Sequence, residues 1–203
     1  MPDTTLGPFS IAIALILWAA FHSFLAADQT KQFLVSIFGN SVQRVYRFGY
    51  NIISVVTFLP VLYIMGTYPG EILYQIPWPL SMFFTIGQLI AVILITIGLL
   101  QTDPWGFAGV RQLVSGTENG GKFQSRGLYQ YVRHPLYTGG LIFIWLTPIM
   151  TTTTLVFVII SSLYLYIGSF FEERRLVREF GDTYRAYQAR VPRLFPRIIQ
   201  RSE

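Results

Sequence analysis

Residues 133–139 read Arg133-His134-Pro135-Leu136-Tyr137-Thr138-Gly139, and Glu172-Glu173 follow at the far end of two apolar runs, Leu136 to Met150 and Leu155 to Phe171. An arginine, a histidine and two carboxylates at the edges of lipid-compatible segments are costly to place. Ionisable groups at such depth normally face a cavity, a partner or a ligand rather than hydrocarbon. The two runs read as a tight helical hairpin, joined through Pro148 and the Thr151 to Thr154 segment, which returns Glu172 to the neighbourhood of His134. Two separated motifs thereby become one candidate site.

Outward from this hairpin, three more apolar runs precede it: Phe9 to Ala27, Phe48 to Tyr68 and Pro79 to Leu100. Each reaches the roughly 20 residues that cross a hydrocarbon core of about 30 Å, whereas the last two runs fall short. With 52% hydrophobic and 12% charged residues in a chain of 203, there is too little polar surface for a soluble domain. The expected fold is all-α, an integral membrane bundle of five transmembrane helices. Lys31, Arg44 and Arg47 fall after the first run, and Arg111, Lys122, Arg126 and Arg133 after the third. The other eight basic residues follow the fifth. Positive charge accumulates on the cytoplasmic side, so the N-terminus is expected outside and the C-terminus inside, as in a bacterial inner membrane.

This distribution explains the net charge of +5 without nucleic acid, because the basic residues track span boundaries and form no groove-following patch. Anionic membrane lipids are the expected partners. No cysteine is present, which removes thiol nucleophiles, disulfides and thiolate metal sites. His22 and His134 are the two histidines, without a spaced ligand set, and no metal is expected. No basic segment precedes the first apolar run, so that span is expected to be retained rather than cleaved. Oligomeric state is not legible.

The loop from Gln101 to Arg133 and the tail after Phe171 are too short to enclose a nucleotide-sized ligand separately, and are expected to fold together against the helix ends. Turn signals at Asp103-Pro104, Gly116 and Asn119-Gly120-Gly121 make the middle of the loop irregular. No phosphate-binding glycine fingerprint follows a strand. In the tail, Leu176, Phe180, Tyr184, Tyr187 and Val191 recur at helical spacing, which predicts an amphipathic C-terminal helix ended by Pro192. That stripe either lies on the membrane or roofs a ligand cavity.

The string from Gly127 to Gly139 resembles the R-H-P-x-Y-x-G element of integral-membrane, S-adenosylmethionine-dependent methyltransferases, the superfamily of isoprenylcysteine carboxyl and phospholipid methyltransferases. Glu172-Glu173, with Phe180-Gly181-x-x-Tyr184-x-x-Tyr187-x-x-x-Val191-Pro192, resembles its second element. The match covers about residues 103 to 197. Phe21-His22-Ser23-Phe24-Leu25-Ala26, Tyr46-Arg47 with Tyr50-Asn51, Gly109-Val110-Arg111-Gln112, and Thr147-Pro148-x-Met150-Thr151 are similar to the methanethiol S-methyltransferase and NnrU-like branch. In the isoprenylcysteine branch an arginine precedes the paired glutamates by one helical turn. Gly168 stands here instead, which argues against a prenylated cysteine as acceptor.

The resemblance implies one methyltransferase domain over 1–203, with an acceptor-side region at 1–101 and a cofactor-binding region at 102–203. S-adenosylmethionine offers a sulfonium, an ammonium, a carboxylate, ribose hydroxyls and adenine, so its site needs acceptors, donors and aromatic walls. Glu172 is the expected cofactor contact, supported by Glu173. His134 or Arg133 holds the carboxylate, with Pro135 opening the helix behind them, and Tyr129, Tyr137, Tyr184 and Tyr187 line the cavity. His134 and Glu172 are the catalytic candidates; His22, Asn51 and Gln112 are candidates on the acceptor side. Plainer readings stand beside these. Arg133 snorkels to lipid phosphates, His134 and Pro135 serve as a helix start, and the tyrosines form an interfacial belt.

The implied reaction is direct in-line methyl transfer to a small or lipophilic acceptor, carried by positioning and exclusion of water. For a thiol acceptor the base is open among His22, His134 and a carboxylate. A non-catalytic accessory or cofactor-sensing protein of the NnrU-like type is the alternative, because fold resemblance alone does not carry function.

Overall fold

The computed structural model describes residues 6–116 and 123–196. Its helices are α1 (Leu6–Ala26), α2 (Asp28–Phe38), α3 (Ser41–Thr67), α4 (Leu80–Leu100), α5 (Pro104–Ala108), α6 (Val110–Ser115), α7 (Pro135–Trp145), α8 (Thr152–Phe180) and α9 (Asp182–Arg190). A 3-10 turn occupies Gly127–Gln130, and two short strands, β1 (Ile72–Gln75) and β2 (Ile149–Thr151), pair with each other. Among the described residues the fold is helical apart from one ribbon. The turn signal at Asn119-Gly120-Gly121 lies outside the described residues.

Four helices, α1, α3, α4 and α8, are long and apolar enough to cross a membrane, and the chain is an integral membrane protein. Helix α7 has 11 residues, about 16 Å at 1.5 Å per residue, and falls short of a full crossing. Helix α8 is longer than its apolar run, because Glu172 to Phe180 continue the same backbone hydrogen bonding after apolar character ends. The amphipathic tail helix needs correction. Gly181 takes φ 57°, a region favouring glycine, and separates α8 from α9, so the Leu176 to Val191 stripe runs over two helices.

The chain divides into two compact units. The first holds the chain up to Tyr74, a segment beginning at Asp103, and Met150–Ile160. In it α1 packs on α3 around the buried Ile11, Leu15 and Val61, with Trp18, Phe58 and Phe157 against them. The contact residues of α1 continue at steps of four, three and four to His22, and those of α3 run back from Val61 through Phe58 and Ser54 to Tyr50. Asp103 caps α5 by accepting from the Gly106 N–H at 3.0 Å.

The second unit holds Gln75–Thr102, the chain leading to Ile149, and the chain from Ser161 onward. Here α7 lies close against α4. A Cβ on Gly139 would meet the Ala91 carbonyl and the Ile95 side chain, and one on Gly98 would meet Leu136 and Pro135. Small residues let the two backbones approach where no hydrophobic force separates helix from lipid. Trp145 Nε1 donates to Ser162 Oγ at 3.0 Å, tying the end of α7 to α8.

Candidate active site

In the second unit Pro135 takes the first helical position of α7, where its missing N–H costs nothing, and forces the preceding His134 out of the helical region, to φ −124°. The approach to it is stitched to the chain that follows α9. The backbone N–H groups of Arg133 and His134 donate to the carbonyls of Pro192 and Arg193 at 2.9 and 3.1 Å. Thr138 Oγ1 donates to the Leu194 carbonyl at 2.6 Å. At Gly127 a side chain would collide with Gln101, whose Oε1 accepts from the Leu128 N–H at 2.9 Å. The motif is thus held on both sides.

Glu173, with 4% of its side chain exposed, has every lone-pair direction in use. Arg133 Nε and His134 Nε2 approach Oε1 at 2.7 and 3.2 Å, while Gln188 Nε2 and Arg193 Nη2 donate to Oε2 at 3.0 Å each. Arg133 also donates from Nη1 to the Gln188 and Val191 carbonyls, which bridges the motif to the end of α9. Its guanidinium is a structural clamp. Burial of this kind is tolerated only when the charge is paired and hydrogen-bonded.

Glu172 differs sharply from its neighbour. Its side chain is 32% exposed, its Oε2 stands 3.4 Å from His134 Nδ1, and the Tyr137 hydroxyl is within hydrogen-bonding reach of the carboxylate. The imidazole of His134 therefore has a carboxylate at each nitrogen. Burial alone depresses its pKa, but the hydrogen bonds and charges of Glu172 and Glu173 outweigh burial and hold it above the ordinary value. The ring is stacked on Tyr137, with centroids 5.2 Å apart and planes at 10°.

Aromatic side chains complete this region. Phe123 sits 5.5, 5.8 and 5.2 Å from the rings of Phe180, Tyr184 and Tyr187, and the Tyr187 hydroxyl donates to the Tyr129 carbonyl at 2.5 Å. Burial raises the Tyr187 phenol to about 12, and raises Tyr129 and Tyr184 further, helped by the nearby glutamate charges. These phenols stay protonated. The Tyr184 hydroxyl is buried with no partner among the described residues.

The first unit holds a different constellation. The Ser54 hydroxyl donates to the Tyr50 carbonyl at 2.7 Å, so at 3.0 Å from His22 Nδ1 its oxygen can only accept. That places the imidazole proton on Nδ1 and leaves Nε2 to accept from the Tyr50 hydroxyl at 2.6 Å. Trp18 stacks on His22 at 4.6 Å and donates from Nε1 to the Ser54 carbonyl. The result is a neutral relay running from phenol to imidazole to hydroxyl. Asn51 donates to the Phe107 carbonyl at 3.0 Å, and the buried Gln112 donates to Gly106 O at 3.3 Å, while its Oε1 has no partner among the described residues.

The NnrU protein family model matches residues 10–194 of this sequence. The chain belongs to the NnrU family. It is 32% identical over 202 residues to the methanethiol S-methyltransferase of a Pseudomonas species, an alignment covering 93% of this chain and 73% of that one. It is 43% identical over 103 residues to methanethiol S-methyltransferase 2 of Bradyrhizobium diazoefficiens, and 43% over 81 residues to that of Crocosphaera subtropica. Those two alignments cover 49% and 40% of this chain, and the chain spans only 40% and 32% of those relatives. No solved structure matches.

In this NnrU-family chain, Tyr129, Arg133, His134, Pro135, Tyr137, Glu172, Glu173, Tyr184 and Tyr187 all fall within the second unit, and Arg133, His134 and the two glutamates are in direct contact. His22, Asn51 and Gln112 belong to the first unit, where His22 joins the relay and the other two bind carbonyls of α5. Sequence reasoning missed Gln188 and Arg193 as partners of Glu173, and Ser54 as the acceptor that sets the His22 tautomer. Gln188 sits four residues after Tyr184, on the same face of α9, and that spacing was the available signal.

Proposed function

We propose that the chain is a membrane methyltransferase that moves a methyl group from S-adenosylmethionine to a small thiol of the methanethiol type. The observation that carries this reading is the unequal state of the two carboxylates: Glu173 is consumed by four internal donors, while Glu172 is partly open beside the His134 imidazole. Family membership and the names of the relatives support it. The donor set fits the cofactor. Glu172 suits an ammonium or ribose hydroxyls, the unpartnered Tyr184 hydroxyl suits a carboxylate, and Phe123, Tyr129 and Tyr187 offer faces to adenine.

When bound, the cofactor supplies an electrophilic methyl carbon on a sulfonium sulfur. The chain's own contribution is positioning. Arg133 and Glu173 lock the start of α7 to the end of α9, His134 orients Glu172, and Tyr137 fixes the imidazole plane. A thiol must also lose its proton. His134 is poorly suited, since both nitrogens face carboxylates, and Glu173 is saturated. In this reading the acceptor enters already ionised, as a thiolate, and needs no base from the cradle.

In the same reading α7 and α8 form the last two members of a five-helix membrane arrangement, supported by the Trp145 to Ser162 hydrogen bond. The basic loops face the cytoplasm, with the N-terminus outside. The test is direct. Purified protein in detergent is titrated with S-adenosylmethionine, and Glu172→Gln is expected to weaken binding about tenfold, the loss of one charge-assisted contact. Unchanged affinity sinks the site. Methyl transfer to methanethiol from labelled cofactor then separates an enzyme from a protein that binds without turnover.

A further inference from the structure

One face of α8 changes character along its length. Leu163, Ile167, Phe170, Arg174, Val177 and Arg178 fall on a single stripe, at steps of four, three, four, three and one. The first part is apolar and open, with Leu163 55%, Ile167 51% and Phe170 37% exposed. At Arg174 the stripe turns basic, and a cavity of ≈ 410 Å³ opens there, lined by Phe170, Val177 and three arginines, Arg174, Arg178 and Arg193. That volume is within the usual range of small-ligand sites.

The charge in this cavity is not cancelled internally. Its carboxylate, Glu173, already accepts from Arg133, His134, Gln188 and Arg193. Among the described residues neither Arg174 nor Arg178 has a carboxylate partner; Arg174 only lies over Phe171, 5.8 Å from the ring centroid. The Arg193 guanidinium carbon lies over the Phe170 ring, 3.6 Å from its centroid, and its Nε–H is buried without an acceptor among the described residues. An orphaned buried donor is uncommon in a folded protein and marks a place where an acceptor from outside the chain belongs.

We propose that this face binds an anionic phospholipid of the bilayer, with the phosphate among Arg174, Arg178 and Arg193 and an acyl chain along Phe170, Ile167 and Leu163. Guanidinium groups match phosphate oxygens in paired, planar contacts, and basic pockets at the cytoplasmic ends of membrane helices attract anionic headgroups. A soluble anion would use only the basic end. The exposed apolar stripe leading into it, on a membrane-spanning helix, is what selects a lipid.

The experiment uses the full chain purified in detergent and incubated with an equimolar mixture of phosphatidylglycerol and phosphatidylcholine, with retained lipid quantified by mass spectrometry. Wild type is expected to retain phosphatidylglycerol about tenfold over phosphatidylcholine, and the double variant Arg174→Gln/Arg178→Gln to lose most of that preference. Arg174→Lys/Arg178→Lys keeps the charge and is expected to keep part of it; wild-type thermal unfolding in both variants certifies the fold. Equal retention of the two lipids by wild type overturns the proposal. So does displacement of phosphatidylglycerol by millimolar inorganic phosphate, which would make the ligand a soluble anion. A tenfold loss of S-adenosylmethionine affinity in the glutamine variant, with lipid preference intact, assigns the arginines to the cofactor instead.

Discussion

Around Glu173, in the second unit, two arginines, a histidine and a glutamine converge on two oxygen atoms; around His22, in the first, the partners are a phenol, a hydroxyl and an indole. Both clusters flank apolar helices, yet one is built from charge and the other from neutral groups. A carboxylate in a poorly solvated place must be matched by several donors, and those donors come from positions 15 to 40 residues away. A neutral relay needs only one donor for each acceptor, so two faces of two packed helices suffice. The ionic cluster ties the start of α7, α9 and the segment after it to one carboxylate, whereas the relay joins only α1 and α3.

The sharpest way to break this contrast is Glu173→Gln. It strands the guanidinium of Arg133, 9% exposed, and the imidazole of His134, and is expected to lower stability by about 3–5 kcal/mol, the usual loss on removing one partner of a buried pair. Thermal unfolding in detergent measures it, with Glu172→Gln, at the open carboxylate, expected to cost far less. An equal loss in both variants would erase the distinction between the two glutamates.

A second, smaller effect follows from pH. The folded pKa of His134 is raised, so its stabilising charge is fully present below the ordinary value of 6.5 and is lost as pH rises through the folded value. The unfolding temperature of wild type is expected to fall across that window, and His134→Gln to remove this slope. Tyr50→Phe should leave the slope in place, because the relay carries no net charge.

The smallest expected change is in the relay itself. Tyr50→Phe removes one neutral hydrogen bond, worth about 0.5–1.5 kcal/mol, so the fold survives. Thermal unfolding in detergent should register it as a fall well below that of Glu173→Gln. A fall as large as that of Glu173→Gln would erase the contrast between the two clusters.

Much of this was legible in the chain. The apolar runs at Phe9 to Ala27, Phe48 to Tyr68 and Pro79 to Leu100 became α1, α3 and α4, because lipid-exposed helices are uniformly apolar and need no subtle signal. The surface helix α2 and the β1–β2 ribbon were not anticipated: four and three residues of strand leave too short a pattern to read. Helix α8 outran its apolar run because hydropathy ends at the first charge while backbone hydrogen bonding does not. The meeting of Arg133 and His134 with Glu172 and Glu173 followed from hairpin spacing. The division of labour between the glutamates did not, since it depends on Gln188 and Arg193, residues of ordinary type whose meaning comes only from where the chain turns at Gly181.

The segment from Val191 to Leu194 bears on how the molecule is made. It supplies the acceptors for the Arg133 and His134 amides and for Thr138, in the last case from 56 residues downstream. The segment is made after α7 and α8, so both helices are complete before their motif can be tied down. Until it is in place, the Arg133 and His134 amides lack these backbone acceptors and the start of α7 is not tied to the end of α9.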